Sequence, residues 1–192
     1  MRSLSSYIRN FVAKHLVFVF VVLSSCGDGI VSNKYCSLPA KFTFTPVNSI
    51  SQLYTSLNSP GEWCTVTIDA SGNKFLFRNL SGTGETNRTA LDGYTSFYMG
   101  LSGFIVGLPN IPELGSDLPV ITCYDLACSN CYADYSVARR LTLQEGGLAR
   151  CSSCQRIYNL NNTGIVSSGS AGQPLYRYRV YYGNNTLSIN NR

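Results

Sequence analysis

Two pairs of cysteines are the residues of this chain best suited to chemistry. Cys128-Ser-Asn-Cys131 is followed, 19 residues later, by Cys151-Ser-Ser-Cys154. A Cys-x-x-Cys turn points two sulfur atoms in the same direction, and two such turns supply the four thiolates of a tetrahedral metal site. The spacing between the pairs is typical of zinc sites. We therefore expect two hairpin tips to bring Cys128, Cys131, Cys151 and Cys154 together at one metal site.

The N-terminal residues have the pattern of a bacterial lipoprotein signal. Positive charges in residues 1–15 precede an apolar run over residues 16–23, which is shorter than the roughly 20 apolar residues that span a bilayer. Leu23-Ser24-Ser25-Cys26 resembles a lipobox, in which the cysteine is lipidated. The alternative is an ordinary cleaved signal with Cys26 as an incidental thiol. We predict a signal peptide over 1–25, lipidation at Cys26, a tether over 26–40, and a membrane-anchored location in the bacterial cell envelope, facing the periplasm or the exterior.

Export opens an alternative for the paired cysteines. An exported chain meets oxidants before it meets abundant free metal, so the two pairs could instead form two disulfides or one crosslink between the loops. Cys36, Cys64 and Cys123 then remain. At most one disulfide can form among three thiols, and their other expected role is that of small buried hydrophobic residues.

Several functions are excluded by residue type. The single histidine, His15, lies in the predicted signal peptide, so the mature chain has no imidazole for a catalytic triad or a proton shuttle. We find no glycine-rich phosphate loop and no close pair of carboxylates, and we expect no catalytic residues. The net charge of +5 falls to +2 without the predicted signal peptide, too little for a nucleic-acid partner.

The pattern from residue 41 onward predicts an all-β fold. Short runs of β-branched and aromatic residues alternate with Gly, Ser and Asn clusters, which favours an antiparallel β-sandwich or small barrel over residues 41–192. Gly183-Asn184-Asn185 predicts a hairpin turn, with Tyr178 and Arg177 on opposite faces of the strand before it. Residues 81–92 and 108–119 lack strand character and are interpreted as loops.

The segments around the cysteines resemble the Rieske domain. The residues concerned are Tyr124-Asp-Leu-Ala-Cys128, then Cys151-Ser-Ser-Cys154 followed by Tyr158, Leu160 and Thr163-Gly164, then Gly169-Ser-Ala-Gly-Gln-Pro174-Leu175. The resemblance implies three antiparallel sheets: a base domain, and a cluster-binding subdomain at about 123–172 that carries two ligand loops. It also implies that residues 169–174 form a third loop beside the site.

The sequence departs from that family at the ligands. A Rieske [2Fe-2S] cluster uses one Cys and one His from each loop, whereas Cys131 and Cys154 stand where the histidines would be, and Ser170 replaces the proline of the third loop. Four thiolates could hold zinc or an all-Cys [2Fe-2S] cluster. Because Arg9 is followed by Asn10, no twin-arginine signal for export of a folded, cluster-loaded chain is present. We therefore favour zinc or disulfides over [2Fe-2S].

Charged and aromatic residues surround the cysteines. One interpretation is that the charged residues form a docking surface for a charged partner, or that the arginines screen the thiolate charge. The alternative, which we favour, is that they are solvated strand edges. The residues are Asp125, Asp134, Arg139, Arg140, Arg150 and Arg156. Tyr132, Tyr135 and Tyr158 either shield the site from water or pack in the core, and we favour packing.

These observations predict a non-enzymatic binding module with a structural four-Cys site. It contacts the membrane through its lipid anchor and binds an unidentified protein partner. One rival is an electron-transfer protein carrying an all-Cys [2Fe-2S] cluster. A second rival is a thiol-disulfide exchange protein, and the absence of a thioredoxin-like βαβ pattern counts against it.

Overall fold

The computed structural model describes residues 34–87 and 97–191. Two short α-helices, α1 (Ser51–Asn58) and α2 (Ser129–Tyr135), and a 3-10 helix over Val47–Ser49 lie among these residues. No described helix is long and apolar enough to cross a membrane. The strands are β1 (Ala40–Phe44), β2 (Trp63–Ile68), β3 (Lys74–Asn79), β4 (Gly82–Asn87), β5 (Tyr98–Met99), β6 (Phe104–Gly107), β7 (Thr122–Asp125), β8 (Leu141–Gln144), β9 (Leu148–Cys151), β10 (Ile157–Asn159), β11 (Ile165–Ser168), β12 (Arg177–Gly183) and β13 (Thr186–Asn190).

Nine strands form one antiparallel sheet in the order β4-β3-β2-β6-β7-β12-β13-β1-β5. β1 and β3 are far apart in this order, yet their side chains meet. The rings of Phe42 and Phe75 lie 5.2 Å apart between centroids, and those of Phe44 and Phe77 lie 4.7 Å apart. The sheet is therefore curled around a single core, as right-handed strand twist favours in a large antiparallel sheet.

A four-stranded sheet in the order β11-β10-β9-β8 encloses a second core with the outer face of the curled sheet. Alternation along β2 separates the two cores, because Cys64 and Val66 point into the first and Trp63 points into the second. Tyr124 of β7 and Tyr158 of β10 join Trp63 there. The second core also contains the cysteine pairs.

The all-β prediction is confirmed, with two corrections. The resemblance implied three sheets, whereas the described residues form two. The other correction concerns the predicted loops. Residues 82–87 form strand β4, which pairs with β3 from Asn79↔Gly82 to Lys74↔Asn87. Their Gly- and Thr-rich sequence lacks apolar alternation because an edge strand outside the core requires only backbone pairing. Residues 108–119 contain no strand, as predicted. The predicted hairpin joins β12 to β13, with positive φ at Asn184 and Asn185, as a type I′ turn requires.

Arg177 lies on the face of β12 opposite Tyr178, as predicted, but it is buried. Its guanidinium pairs with the carboxylate of Glu113 and donates to the Thr122 hydroxyl at 3.2 Å. Glu113 also pairs with Lys34 at 2.6 Å. The loop between β6 and β7 therefore covers this strand and brings the counter-ion for Arg177.

The described end of the predicted tether contacts the curled sheet. The Cys36 amide donates to the Arg177 carbonyl at 3.0 Å, and the Asn191 side chain donates to the Leu38 carbonyl at 3.0 Å. Ala40 already belongs to β1. The predicted signal peptide and Cys26 lie outside the described residues.

Candidate metal centre

The sulfur atoms of Cys128, Cys131, Cys151 and Cys154 all lie within 4.8 Å of one another. Cys128 Sγ is 3.6 Å from Cys154 Sγ, and Cys131 Sγ is 3.7 Å from Cys151 Sγ. The close contacts thus join the two pairs to each other. The predicted convergence of the four cysteines is confirmed, and the group could hold a metal ion.

The first pair lies at the start of a helix. Cys128 is the N-cap residue of α2, and its sulfur accepts a hydrogen bond from the Cys131 amide at 3.5 Å. A hairpin tip was predicted at this position, and that prediction is wrong. The sulfur satisfies one of the free N–H groups of the first helical turn, which lets the chain leave β7 directly into α2.

The second pair lies in the turn between β9 and β10, a hairpin tip as predicted. Cys151 ends β9, and its carbonyl accepts from the Gln155 amide at 3.0 Å while its own amide donates to the Arg156 carbonyl at 2.9 Å. Gln155 has a φ of 62°. This left-handed residue turns the chain back into β10 immediately after Cys154.

The four thiols have different environments. Cys128, Cys131 and Cys151 are buried, whereas Cys154 is partly exposed. Burial raises the pKa of both Cys128 and Cys131. Burial alone would also raise the pKa of Cys154, but hydrogen bonds from the backbone and side chain of Arg156 outweigh it and lower this pKa to about 7. Cys154 is therefore the thiol most ready to bind a cation as a thiolate.

Tyr158 contacts the site directly and is fully buried. Its hydroxyl lies 3.0 Å from Cys128 Sγ and accepts from the Asn130 side-chain amide at 2.8 Å. Because Asn130 occupies an acceptor position on the hydroxyl, the hydroxyl proton is free to point toward the sulfur. Tyr158 thus both packs in the core and covers the site, while Tyr132 is half-buried and Tyr135 is exposed.

A third loop closes against both cysteine pairs. Asn130, between the cysteines of the first pair, donates to the Gln173 carbonyl at 2.9 Å and accepts from the Gln173 amide at 3.0 Å. Arg156, beside the second pair, donates to the Ser170 carbonyl at 2.9 Å and to the Ala171 carbonyl at 3.2 Å. The expectation that Arg156 is only a solvated edge residue is therefore wrong.

Asp125 also differs from the favoured interpretation, since it is fully buried. Its carboxylate accepts from the Leu101 amide at 2.7 Å, the Ala127 amide at 2.7 Å and the Tyr178 hydroxyl at 2.6 Å. Burial nevertheless raises its pKa. Asp125 fixes the backbone that leads to Cys128. The others, Asp134, Arg139, Arg140 and Arg150, are exposed as expected.

Among the described residues, none of the seven cysteines forms a disulfide. Cys64 and Cys123 are buried in the first core, which fits the role of small hydrophobic residues, and Cys36 is partly buried against the same core. Burial raises the pKa of Cys64 and of Cys123. These two thiols are therefore protonated and shielded from reagents.

Sequence reasoning missed the contact between Asn130 and Gln173. The position of Asn130 inside a Cys-x-x-Cys turn was a weak signal, but its partner lies 43 residues further along the chain. Sequence spacing cannot identify such a partner. The role of Glu113 was missed for the same reason, because it pairs across the fold with Arg177.

No protein-family model matches this chain, and no curated protein matches it.

Proposed function

We propose that the four cysteines bind one zinc ion, which joins α2 to the β9–β10 hairpin in a non-enzymatic binding module of the bacterial cell envelope. The observation that carries this proposal is the convergence of all four sulfur atoms within 4.8 Å. Thiolates are the ligands that structural zinc prefers, and a set of four leaves no coordination position open for a substrate. The site is therefore structural.

The distances between the sulfur atoms favour a single ion. With zinc–sulfur bonds of about 2.3 Å, the sulfur atoms of a tetrahedral site lie about 3.8 Å apart, close to the observed 3.6 and 3.7 Å. In a [2Fe-2S] cluster, bridging sulfides separate the two irons, so thiolates on different irons lie farther apart than thiolates on one ion. The compact group supports zinc over the all-Cys [2Fe-2S] alternative.

The resemblance to the Rieske domain supports the same architecture. Its expected order of two ligand loops and a third loop matches the contacts of Asn130 and Arg156 with residues 169–174. In this proposal, a Rieske-like scaffold has exchanged its histidine ligands for Cys131 and Cys154. One zinc ion then stabilises the loops, and the redox role of the family is absent.

The location of the module rests on the sequence. The lipobox-like Leu23-Ser24-Ser25-Cys26 follows the apolar run of a signal, so the mature chain begins at a lipidated Cys26. The anchor keeps the folded domain at a membrane surface, facing the periplasm or the exterior. A protein partner is bound there.

The test is metal analysis of the full chain after export to its own compartment. We expect a colourless protein with one zinc per chain. Cys131→Ala should lose the zinc, whereas the matched control Cys64→Ala, at a buried thiol outside the site, should retain it. Mass spectrometry of the same sample should find diacylglycerol on Cys26.

Three results would contradict parts of the proposal. Two irons per chain with visible absorption would establish the electron-transfer alternative. A metal-free protein whose four site thiols resist alkylation until they are reduced would establish disulfides. A mature N-terminus without lipid would overturn the anchor and leave the metal site unaffected.

A further inference from the structure

A cleft separates β8 from the outer face of the curled sheet. Its larger part has a volume of about 380 Å³ and is bordered by Thr65, Arg78 and Leu141, while a smaller part of about 180 Å³ is bordered by Trp63. Leu80 and Leu143 line both parts, so the two form one continuous groove along β8. Leu80 is 57% exposed.

Within residues 34–87 and 97–191, the edge of β8 that faces this cleft has backbone groups without a backbone hydrogen-bond partner. β8 pairs with β9 on one side, and on the other side the Leu141 amide donates to the Leu126 carbonyl at 2.8 Å. Backbone groups of alternate residues in an antiparallel strand point in the same direction. Leu143 is the next alternate residue after Leu141, so its N–H and C=O also point away from β9. They lie beyond the last contact of β8 with residues 126–127. An edge of this kind accepts an added strand.

The two ends of the cleft carry opposite charges. Arg78 and Arg140 border the larger part, whose described lining contains no carboxylate, and neither takes part in an ion pair among the described residues. Glu62 and Glu145 border the smaller part. Because β8 runs from Leu141 to Gln144, its start lies at the basic end and its finish at the acidic end.

We propose that this cleft binds an extended peptide segment of a partner protein, added antiparallel to β8. In that orientation the amino end of the peptide lies near Glu62 and Glu145, and a carboxylate near its other end lies between Arg78 and Arg140. Apolar side chains of the peptide contact Leu80 and Leu143. The inference rests on the proposed binding function and gives it a surface and a class of partner.

The experiment uses zinc-loaded full chain and the pentapeptide Lys-Val-Thr-Val-Asp with free ends. Trp63 is the only tryptophan of the chain and borders the cleft, so its fluorescence reports binding. We expect saturable binding with a shift of the Leu143 amide signal in NMR spectra. The reversed peptide, Asp-Val-Thr-Val-Lys, should bind more weakly, because at each end its side-chain charge is cancelled by the oppositely charged terminus, which leaves no net charge to pair with either end of the cleft.

Arg78→Ala should weaken binding about fivefold, the loss expected for one exposed ion pair. Arg139→Ala is the matched control, since Arg139 is exposed but does not border the cleft, and this variant should bind the peptide as the unaltered chain does.

Neighbouring amides of a strand point to opposite sides. Two further peptides are therefore compared, one N-methylated at Thr and one N-methylated at the Val that follows it. Of these two N–H groups, one bonds to β8 and the other points away from it. Methylation of the first should abolish binding, and methylation of the second should be tolerated.

Equal affinity for the reversed peptide, equal tolerance of both N-methyl groups, or signal changes away from β8 would each overturn the inference. Binding of a neutral oligosaccharide such as maltohexaose in place of the pentapeptide would also overturn it. Zinc content measured on the same samples separates the two proposals. Loss of zinc refutes the proposed function, whereas absence of peptide binding with one zinc per chain refutes the peptide site alone.

Discussion

Tyr158 is not one of the four candidate ligands, but its side chain orients one of them. Its hydroxyl connects Cys128 Sγ to Asn130, and Asn130 in turn bonds to Gln173. A hydrogen bond to the sulfur favours its thiolate form and fixes its direction. The orientation of Cys128 therefore depends on the loop that contains Gln173.

Tyr158→Phe keeps the buried ring and removes only the hydroxyl. We expect the affinity for zinc to fall about 10- to 100-fold, as is usual when a hydrogen bond to a metal ligand is lost. Competition with a chromophoric chelator measures the change. Tyr135→Phe removes a hydroxyl from an exposed ring and should leave the affinity unchanged. Equal affinities for the two variants would show that the contact with Cys128 does not prepare the site.

At the scale of elements, two acidic residues, the buried Asp125 and the partly buried Glu113, set the connections between strands. Asp125 ties the end of β7 to Tyr178 of β12 and to the turn at Leu101. Glu113 ties the loop between β6 and β7 to Arg177 of β12. The loops that these carboxylates hold contain little regular structure. Their positions are therefore determined by charge pairing and hydrogen bonds.

Glu113→Gln should lower the free energy of unfolding by about 2 kcal/mol, because it leaves the largely buried Arg177 without a counter-ion. Burial by itself raises the pKa of Glu113, but Lys34 and Arg177 together outweigh it and lower this pKa. The Glu113 carboxylate thus stabilises the fold fully at pH values above the pKa that Glu113 has in the unfolded chain. This stabilisation is lost as the pH falls through the lower pKa that Glu113 has in the folded protein. Urea unfolding at neutral and acidic pH measures both effects.

Glu85→Gln is the control for that measurement. Glu85 pairs with Lys74 on the surface at 2.5 Å, and breaking an exposed pair should cost less than about 1 kcal/mol. The difference between unaltered chain and Glu113→Gln should shrink in acid. A difference that stays constant with pH, or one no larger than that of Glu85→Gln, would contradict the assigned role of Glu113.

At the scale of the whole molecule, the two cores differ in what stabilises them. The core of the curled sheet is built from aromatic and aliphatic side chains, among them Phe42, Phe75 and Phe104. The second core includes Cys128, Cys131 and Cys151. Burial of apolar surface stabilises the first core by itself, whereas the zinc ion that we propose would contribute directly to the stability of the second core.

Removal of zinc with a chelator should therefore loosen the second core selectively. We expect amide hydrogen exchange to accelerate at Cys151 and Tyr158 and to stay slow at Val66 and Phe104, because the latter two lie in the first core. Addition of zinc should restore protection. Uniform loss of protection over both cores, or unchanged exchange at Cys151, would contradict the idea that the metal stabilises only the second core.

Part of the fold and of the site could be predicted from local sequence. Short runs of β-branched and aromatic residues marked β2 and β3, and alternation marked β12. The Asn184-Asn185 turn was predicted because its conformation depends on residue type. β4 was missed because an edge strand outside the core leaves no apolar pattern. The burial of Asp125 was missed because two of its three donors, the Leu101 amide and the Tyr178 hydroxyl, come from distant parts of the chain.

The residue types and their spacing by themselves determined that this chain is all-β, that four cysteines are its candidate metal ligands, and that no histidine occurs after His15. Only the tertiary structure decided which sulfur atoms are neighbours, that Arg156 and Tyr158 contact them, and that β8 presents an open edge to a cleft. The physical reason is the range of the interactions: alternation and turn preferences act over a few residues, whereas burial, ion pairing and convergence depend on where distant segments meet.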